Sequence, residues 1–389
     1  MAPRSPHGGP GFHDDVLDEL CVSLFASLTR SDQRRSGMSY LRGLLLATGR
    51  KSMRNVAAAV DAPATEQSMH HFISDSTWDW EPVRAALTDY LLAAAPPRAW
   101  VLRPLVIPKA GNDSVGVGKR FFPSMGQALN AQHAIGVWAA SEDTSSPVNW
   151  RLHLPHAWLD DKRKRRRASI PAGTAQETMT DCLLAAYLEV VSRQGVPARP
   201  VVFDARCLDV PAVVRTLRAA GLPWLIRIGS NLRLSTAERG FPGRDRATVP
   251  AYQVVAAART ARRLVNWVDH EPVHTTRTDL AAAVPARLPG GAEPDLRVVG
   301  TGQVGQSWPA QLWLTDIGAP AATLLRLSKL VERVDRDALD IAENVGMRDF
   351  SGRSFAGWHR HVTLASAAHA VVASTSQGLG GNTSLSAIS

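Results

Sequence analysis

Along the first hundred positions, apolar residues recur at the three- and four-residue spacing of a helix face. Val16, Leu17, Leu20, Leu24 and Leu28 predict a helix over Asp14 to Leu28, with further helices over Met38 to Leu46, Met53 to Val60 and Thr65 to Ile73. The last two are separated by Asp61-Ala62-Pro63-Ala64 and form a possible helix-turn-helix. From Trp100 the pattern changes. Trp100 to Ile107 is a short apolar run closed by Pro108-Lys109-Ala110-Gly111, and Ser114 to Gly118, Ala134 to Ala140 and Val148 to Leu154 read as further strands of an antiparallel meander. Thr174 to Arg193 has helical periodicity. The apolar strand Arg199 to Phe203 then ends on Asp204, Asp209 is placed to cap a helix that Gly221 stops, and Trp224 to Ile228 is a second strand. This strand-helix-strand unit puts Asp204 at the carboxyl end of its first strand, where open α/β sheets gather their ligands.

Residues 230–308 are loop-rich and arginine-rich and read as an insertion between core elements, before the strand Gln311 to Leu314 and a long helix over Ala321 to Val345. The expected organisation is a flexible terminus (1–12), a helical and possibly DNA-binding part (13–98), a core in two pieces (99–229 and 309–373) around the insertion, and a disordered Gly/Ser/Thr-rich tail (374–389).

The 389 residues are long enough to bury a substantial core, and 20% charged with 45% hydrophobic residues excludes a disordered chain. Charge changes the picture more. The net charge is +9, and only six of the 44 basic residues are lysine, which leaves 38 arginines. The planar guanidinium fork suits phosphate, so nucleic acid is the first partner to consider. Lys162, Arg163, Lys164, Arg165, Arg166 and Arg167 form an unbroken cationic run that cannot be buried, and a polyanion would relieve its self-repulsion. Arg50, Lys51 and Arg54 at the start of the possible helix-turn-helix are further phosphate-contact candidates. Cys21, Cys182 and Cys207 show no paired spacing, which argues against a disulfide framework or a cysteine zinc site. With no signal-like or membrane-spanning stretch, a soluble cytoplasmic protein is expected.

Several strings, in order and at matching spacing over residues 50 to 370, resemble the DDE insertion-sequence transposases of the seven-hundred-one group. They are His71-Phe72-Ile73-Ser74-Asp75-Ser76 with Trp78-Asp79, Pro108-Lys109-Ala110-Gly111, Asn149-Trp150-Arg151-Leu152, Val202-Phe203-Asp204-Ala205, and Gly352-Arg353-Ser354-Phe355-Ala356-Gly357-Trp358-His359-Arg360-His361. The resemblance implies an α/β fold with a ribonuclease-H-like mixed sheet flanked by helices, a helical N-terminal region and an insertion before the last core helix. It also implies a DNA substrate, possible homodimers, and three carboxylates holding two Mg²⁺ ions for strand cleavage and transfer. Lys109, Arg353 and Arg360 join the DNA-contact candidates on the same ground.

The triad departs from the family pattern. Where the family's first strand carries two aspartates, this chain has Arg103 and Pro104, and Ala110 replaces a lysine. The second acid is Asp204. The third position, a glutamate followed seven residues later by a lysine in the family, is Asp335 here, with Ala342 in place of the lysine. An arginine at the metal site repels Mg²⁺, so the expected function is a DNA-binding protein of transposase ancestry with lost or weakened cleavage. Asp204 and Asp335 are then the only catalytic and metal-ligand candidates, and Mg²⁺ is a cofactor only if activity survives. Two other functions remain open. One is recruitment of the fold for a non-DNA task such as biosynthetic chemistry or regulation, with His133, Arg206 and Cys207 joining Asp204. Alternatively, a rearranged site of Asp113, Asp204 and Asp335 keeps the transposase active.

Overall fold

The computed structural model describes residues 14–60, 65–122, 126–235, 248–269, 275–290 and 296–381. The expected flexible terminus 1–12, the turn 61–64 and the tail beyond 381 lie outside them. Five helices come first: α1 (Asp14–Leu24), α2 (Ser31–Leu46), α3 (Met53–Ala58), α4 (Glu66–His70) and α5 (Trp80–Ala94), with a π-helical turn His71–Asp75 after α4. The sheet opens with β1 (Ala99–Pro108), β2 (Gly118–Phe122), β3 (Gln127–Ala140) and β4 (Ser145–His153). Helices α6 (His156–Leu159), α7 (Lys162–Arg167) and α8 (Met179–Val191) lead to β5 (Val201–Asp204), α9 (Val210–Ala219) and β6 (Trp224–Ile228). Then come β7 (Arg233–Ser235), β8 (Thr248–Pro250), α10 (Ala251–Ala257), β9 (Arg263–Asp269), β10 (Thr275–Ala286), β11 (Leu296–Gln303) and β12 (Gln311–Thr315). The chain closes with α11 (Ala321–Asp337), a π-helical turn Ala338–Ala342, and α12 (Phe355–Gly381).

In the main sheet β4 pairs antiparallel with β3, β3 antiparallel with β1, and β1 parallel with β5, which is parallel with β6. That order and sense is the ribonuclease-H-like core the resemblance implies. From β6 the sheet continues antiparallel through β12, β11, β10 and β9. Local chemistry sets several boundaries. Thr178 and Asp181 form a reciprocal capping box at the start of α8, and the Asp209 carboxylate accepts the Ala212 N–H at 3.1 Å at the start of α9. The expected strand over Ser114 to Gly118 is instead a turn, because Gly116 adopts φ +75° and reverses the extended backbone before β2.

Two clusters of buried side chains cover the two sheet faces. One joins α1 to α5, α11 and α12 to the face carrying Val101, Leu105 and Val202, and the other packs α8, α9 and α10 on the face carrying Trp100, Leu102 and Phe203. The helical 13–98 part therefore shares its core with the sheet. Between Trp358 and Ala373 almost every residue of α12 is buried, polar ones such as His359, Arg360 and His361 included, so this helix runs through the protein's centre. This helix continues through Ser374 to Gly381, where the sequence suggested a disordered tail; Ser374 and Thr375 hydroxyls donate back to the carbonyls of Ala370 and Val371. The 230–308 segment lies before α11 as expected but is not simply an appendage, since β9, β10 and β11 widen the sheet and bury Ala281, Ala282, Val298 and Val299. At Gly300 a Cβ would meet Val255 Cγ1 at 2.3 Å, so only glycine lets α10 close on this part of the sheet.

One polar knot ties the layers. The buried guanidinium of Arg84, on α5, donates to Thr363 Oγ1 (2.8 Å), Asn149 Oδ1 (3.0 Å), the Trp150 carbonyl (2.8 Å), and His359 Nδ1 (3.0 Å) and carbonyl (3.3 Å). Burial lowers its pKa to about 10, so the charge is retained at neutral pH. Arg84→Ala would leave those acceptors unpaired in the core, and a loss of about 3–5 kcal/mol is expected in urea unfolding. A loss below 1 kcal/mol would mean that the knot does not hold the layers.

Candidate active-site cleft and basic surface

β1 and β5 run parallel through the pair Leu102↔Phe203, and the residues that follow on each strand, Arg103 and Asp204, line one cleft. Asp204 is in turn paired with Arg227 on β6. Strand alternation points all three toward the face carrying Val101, Val202 and Leu225, over which α11 lies. Pro104 follows Arg103, and the Trp100 N–H, of the same parity, donates toward the β5 side, to the Pro200 carbonyl. Proline has no N–H for the next rung, which accounts for the ladder ending at Leu102.

These residues line a cleft of about 370 Å³ between β1, β5, β6 and the C-terminal end of α11 with its π-helical turn. Each acid in it is held by an arginine. Arg103 Nε donates to Asp335 Oδ1 at 2.8 Å. Arg206 grips Asp204 with a fork, Nε to Oδ1 at 3.0 Å and to Oδ2 at 2.9 Å and Nη2 to Oδ2 at 2.6 Å, and the Arg206 N–H adds a bond to Oδ1 at 3.0 Å. Hydrogen bonding to Asp204 raises the Arg206 pKa above its ordinary value. Arg348 donates to Glu343 Oε1 at 2.7 Å and to the Val106 carbonyl at 2.7 Å. Arg227 lies 3.9 Å from Asp204 Oδ2, and its pKa is lowered by burial and then by the neighbouring Arg206. The cleft thus carries four arginines against three carboxylates.

The donor set does not fit a pair of Mg²⁺ ions. Such ions need carboxylate and other oxygen ligands free of competing cations. Here Asp204 is held by the Arg206 guanidinium with Arg103 in the same cleft, and among the described residues no three His, Cys, Asp or Glu side chains are grouped to hold a metal. Asp113 lies away from this cleft, exposed and ion-paired with Arg167 and, at 3.6 Å, Arg353, so the arrangement of Asp113, Asp204 and Asp335 as one metal site is not present. His133 is likewise elsewhere, on the opposite face of β3, with Nδ1 accepting from Arg120 at 3.2 Å. Cys207 is exposed beside Arg206 in the chain but does not line the cleft.

The basic candidates separate by burial. Asp161 caps α7, accepting the Arg163 and Lys164 N–H groups at 2.8 and 3.1 Å, and this turns the cationic run into a short helix with no buried residue. Lys162, Arg163 and Arg166 are exposed, whereas Lys164 lies over the Trp158 ring at 5.6 Å and Arg165 donates to the Pro171 and Ala172 carbonyls. Arg167 and Arg353 flank Asp113, and Arg50 and Arg54 are exposed. Lys109 is half-buried, its ammonium bonded to the Phe350 carbonyl at 2.6 Å, and burial followed by repulsion from Arg50 brings its pKa down to about 8.

Two of the expected phosphate contacts are corrected. Lys51 is buried, its ammonium turned onto the Ala47 carbonyl and its backbone N–H onto Asp349. Arg360 is buried beneath the Trp78 ring and donates to the Trp78 and Ile73 carbonyls at 2.9 and 3.1 Å. Both read as surface cations because charge alone does not reveal that a loop closes over the stem. The two histidines flanking Arg360 do not share a ligand: His359 serves Arg84, and His361 bonds Tyr40 and the Gly346 carbonyl, each at 2.8 Å.

The cleft also holds residues the motifs did not flag, namely Arg227, Glu343 and Arg348. Arg227 had a signal in the sequence, being the one charge in the otherwise apolar Trp224-Leu225-Ile226-Arg227-Ile228. Glu343 and Arg348 had none, because the π-helical turn after α11 is what brings them to the cleft.

A family model described as DDE superfamily endonuclease matches residues 23–281. The chain belongs to this family, and the mixed sheet with its flanking helices agrees with the family's ribonuclease-H-like fold. Comparison with curated proteins gives no match. Among the described residues no helix is long and apolar enough to cross a membrane.

Proposed function

We propose that this protein binds DNA and has lost, or nearly lost, the metal-dependent cleavage and strand transfer of its transposase-like ancestry. The observation that carries this reading is the pair of ion pairs Arg103–Asp335 and Arg206–Asp204, which occupy both remaining triad carboxylates with guanidinium groups. With Arg103 in place of the first acid, a divalent ion would have to displace these arginines and tolerate their charge. Membership of an endonuclease family supports DNA as the partner, and the exposed cations of α7 with Arg50, Arg54 and Arg353 supply a surface for its phosphates. A homodimer and an insertion-sequence origin in the seven-hundred-one group belong to the same proposal.

DNA binding should therefore be independent of Mg²⁺ and steeply dependent on salt. Exchanging Lys162, Arg163 and Arg166 for glutamine should reduce the slope of log affinity against log salt by about 2–3. Fluorescence anisotropy with and without EDTA measures both quantities. Affinity unchanged by the triple exchange would reject α7 as the interface, and absence of DNA binding at low salt would favour a recruited, non-DNA role.

A further inference from the structure

We propose that the cleft is a metal-independent anion site, which takes one phosphate group between Arg227 and Arg103. The proposal rests on the reading above, that no metal pair occupies this cleft, and adds what takes its place. Arg227 carries the argument. Asp204, the acid closest to it, has both oxygens engaged by the Arg206 fork, and the guanidinium of Arg227 makes no hydrogen bond among the described residues. Its side chain is 26% exposed and lines the cleft.

Arg103 faces the same space from two strands away, a span of about 9–10 Å between backbones that two arginine side chains can bridge. Its Nε is committed to Asp335, and its Nη groups make no bond among the described residues. The acids facing the cleft, Asp204, Asp335 and Glu343, are each neutralised by an arginine of their own, so Arg227 is the excess charge. A half-buried guanidinium with unused donors gains most from an acceptor that is both anionic and multidentate, and a phosphate offers that geometry. A phosphodiester of a DNA strand and free phosphate share this chemistry.

The test is calorimetric titration of the whole protein in EDTA at low salt, with inorganic phosphate and separately with a ten-nucleotide oligothymidylate. Native protein should bind inorganic phosphate, Arg227→Gln should weaken it about tenfold or more, and Arg227→Lys should keep part of the affinity. If Arg227 matters more for the oligonucleotide than for phosphate, the natural occupant is a DNA phosphodiester; the reverse points to a free phosphate ligand. Protection of Arg227 from phenylglyoxal by phosphate, mapped by mass spectrometry, reads the same site in unaltered protein. Equal phosphate binding by native protein and Arg227→Gln, or no protection of Arg227, would overturn the site. Either result together with EDTA-resistant DNA binding leaves the non-catalytic reading standing. Metal-dependent nicking with intact Arg227 protection would reject that reading and leave the anion site.

Discussion

Arg103→Asp should turn a cleft that excludes divalent cations into one that binds them. The exchange releases Asp335 from its 2.8 Å ion pair and sets a carboxylate in the cleft that Asp204 and Asp335 line. Even at the dielectric constant of water, a divalent ion about 5 Å from a unit charge interacts by roughly 1.7 kcal/mol, so reversing the sign at position 103 is worth about 3 kcal/mol. That is roughly two decades in affinity. Titration calorimetry with Mn²⁺ should show weak or no binding to native protein and a clear isotherm for the variant. Adding Asp335→Asn to Arg103→Asp should remove most of the gain. Native protein binding Mn²⁺ as tightly as Arg103→Asp would show that Arg103 does not control the site. Cleavage is not expected to return with the metal, because Arg206 still grips Asp204.

Acid should unfold the protein over a narrow range, through histidines held neutral in its core. Burial brings the pKa of His361 and His369 down to about 4 and that of His133 to about 3, and it holds His359 well below its ordinary range. Below about pH 6.5 the unfolded chain takes up protons at these four positions while the folded chain does not. The folded state therefore loses stability as pH falls from about 6.5 toward 4, by about 1.4 kcal/mol per pH unit for each histidine. Together they contribute a slope of about 5.6 kcal/mol per unit, and a typical margin of 5–15 kcal/mol would be consumed within about one to three units. Urea unfolding at pH 6, 5.5 and 5 should show this slope, with an uptake of about four protons at pH 5 from these rings and a further share from His153, whose pKa burial also lowers. Stability that stays level from pH 6 to 5 would contradict the burial of these rings.

Much of this was legible in the sequence, for identifiable reasons. Trp224 to Ile228 is legible as a strand because five apolar-dominated residues between Leu222-Pro223 and Gly229 leave little choice. Asp204 at the end of β5 and Asp209 at the cap of α9 follow from position alone. By contrast β9 to β11 were hidden. Their arginines, threonines and alanines lack the apolar alternation of a strand, and their burial comes from α10 and α11, which no local pattern reveals. At the cleft, the sequence singled out positions 103, 204 and 335. It did not supply the pairing of Arg103 with Asp335, 232 residues away, or of Arg227 with Asp204, because those depend on strand register and on where α11 crosses the sheet.

If guanidinium groups have taken the carboxylates of this endonuclease fold, as proposed, the protein holds DNA without cutting it. Nicking of supercoiled plasmid is to be followed in Mn²⁺ at low salt, with protein in excess over DNA. Supercoiled DNA should then stay unchanged from the EDTA control while the same samples show bound complex. Metal-dependent conversion to open circles, abolished by Asp204→Asn, would contradict it.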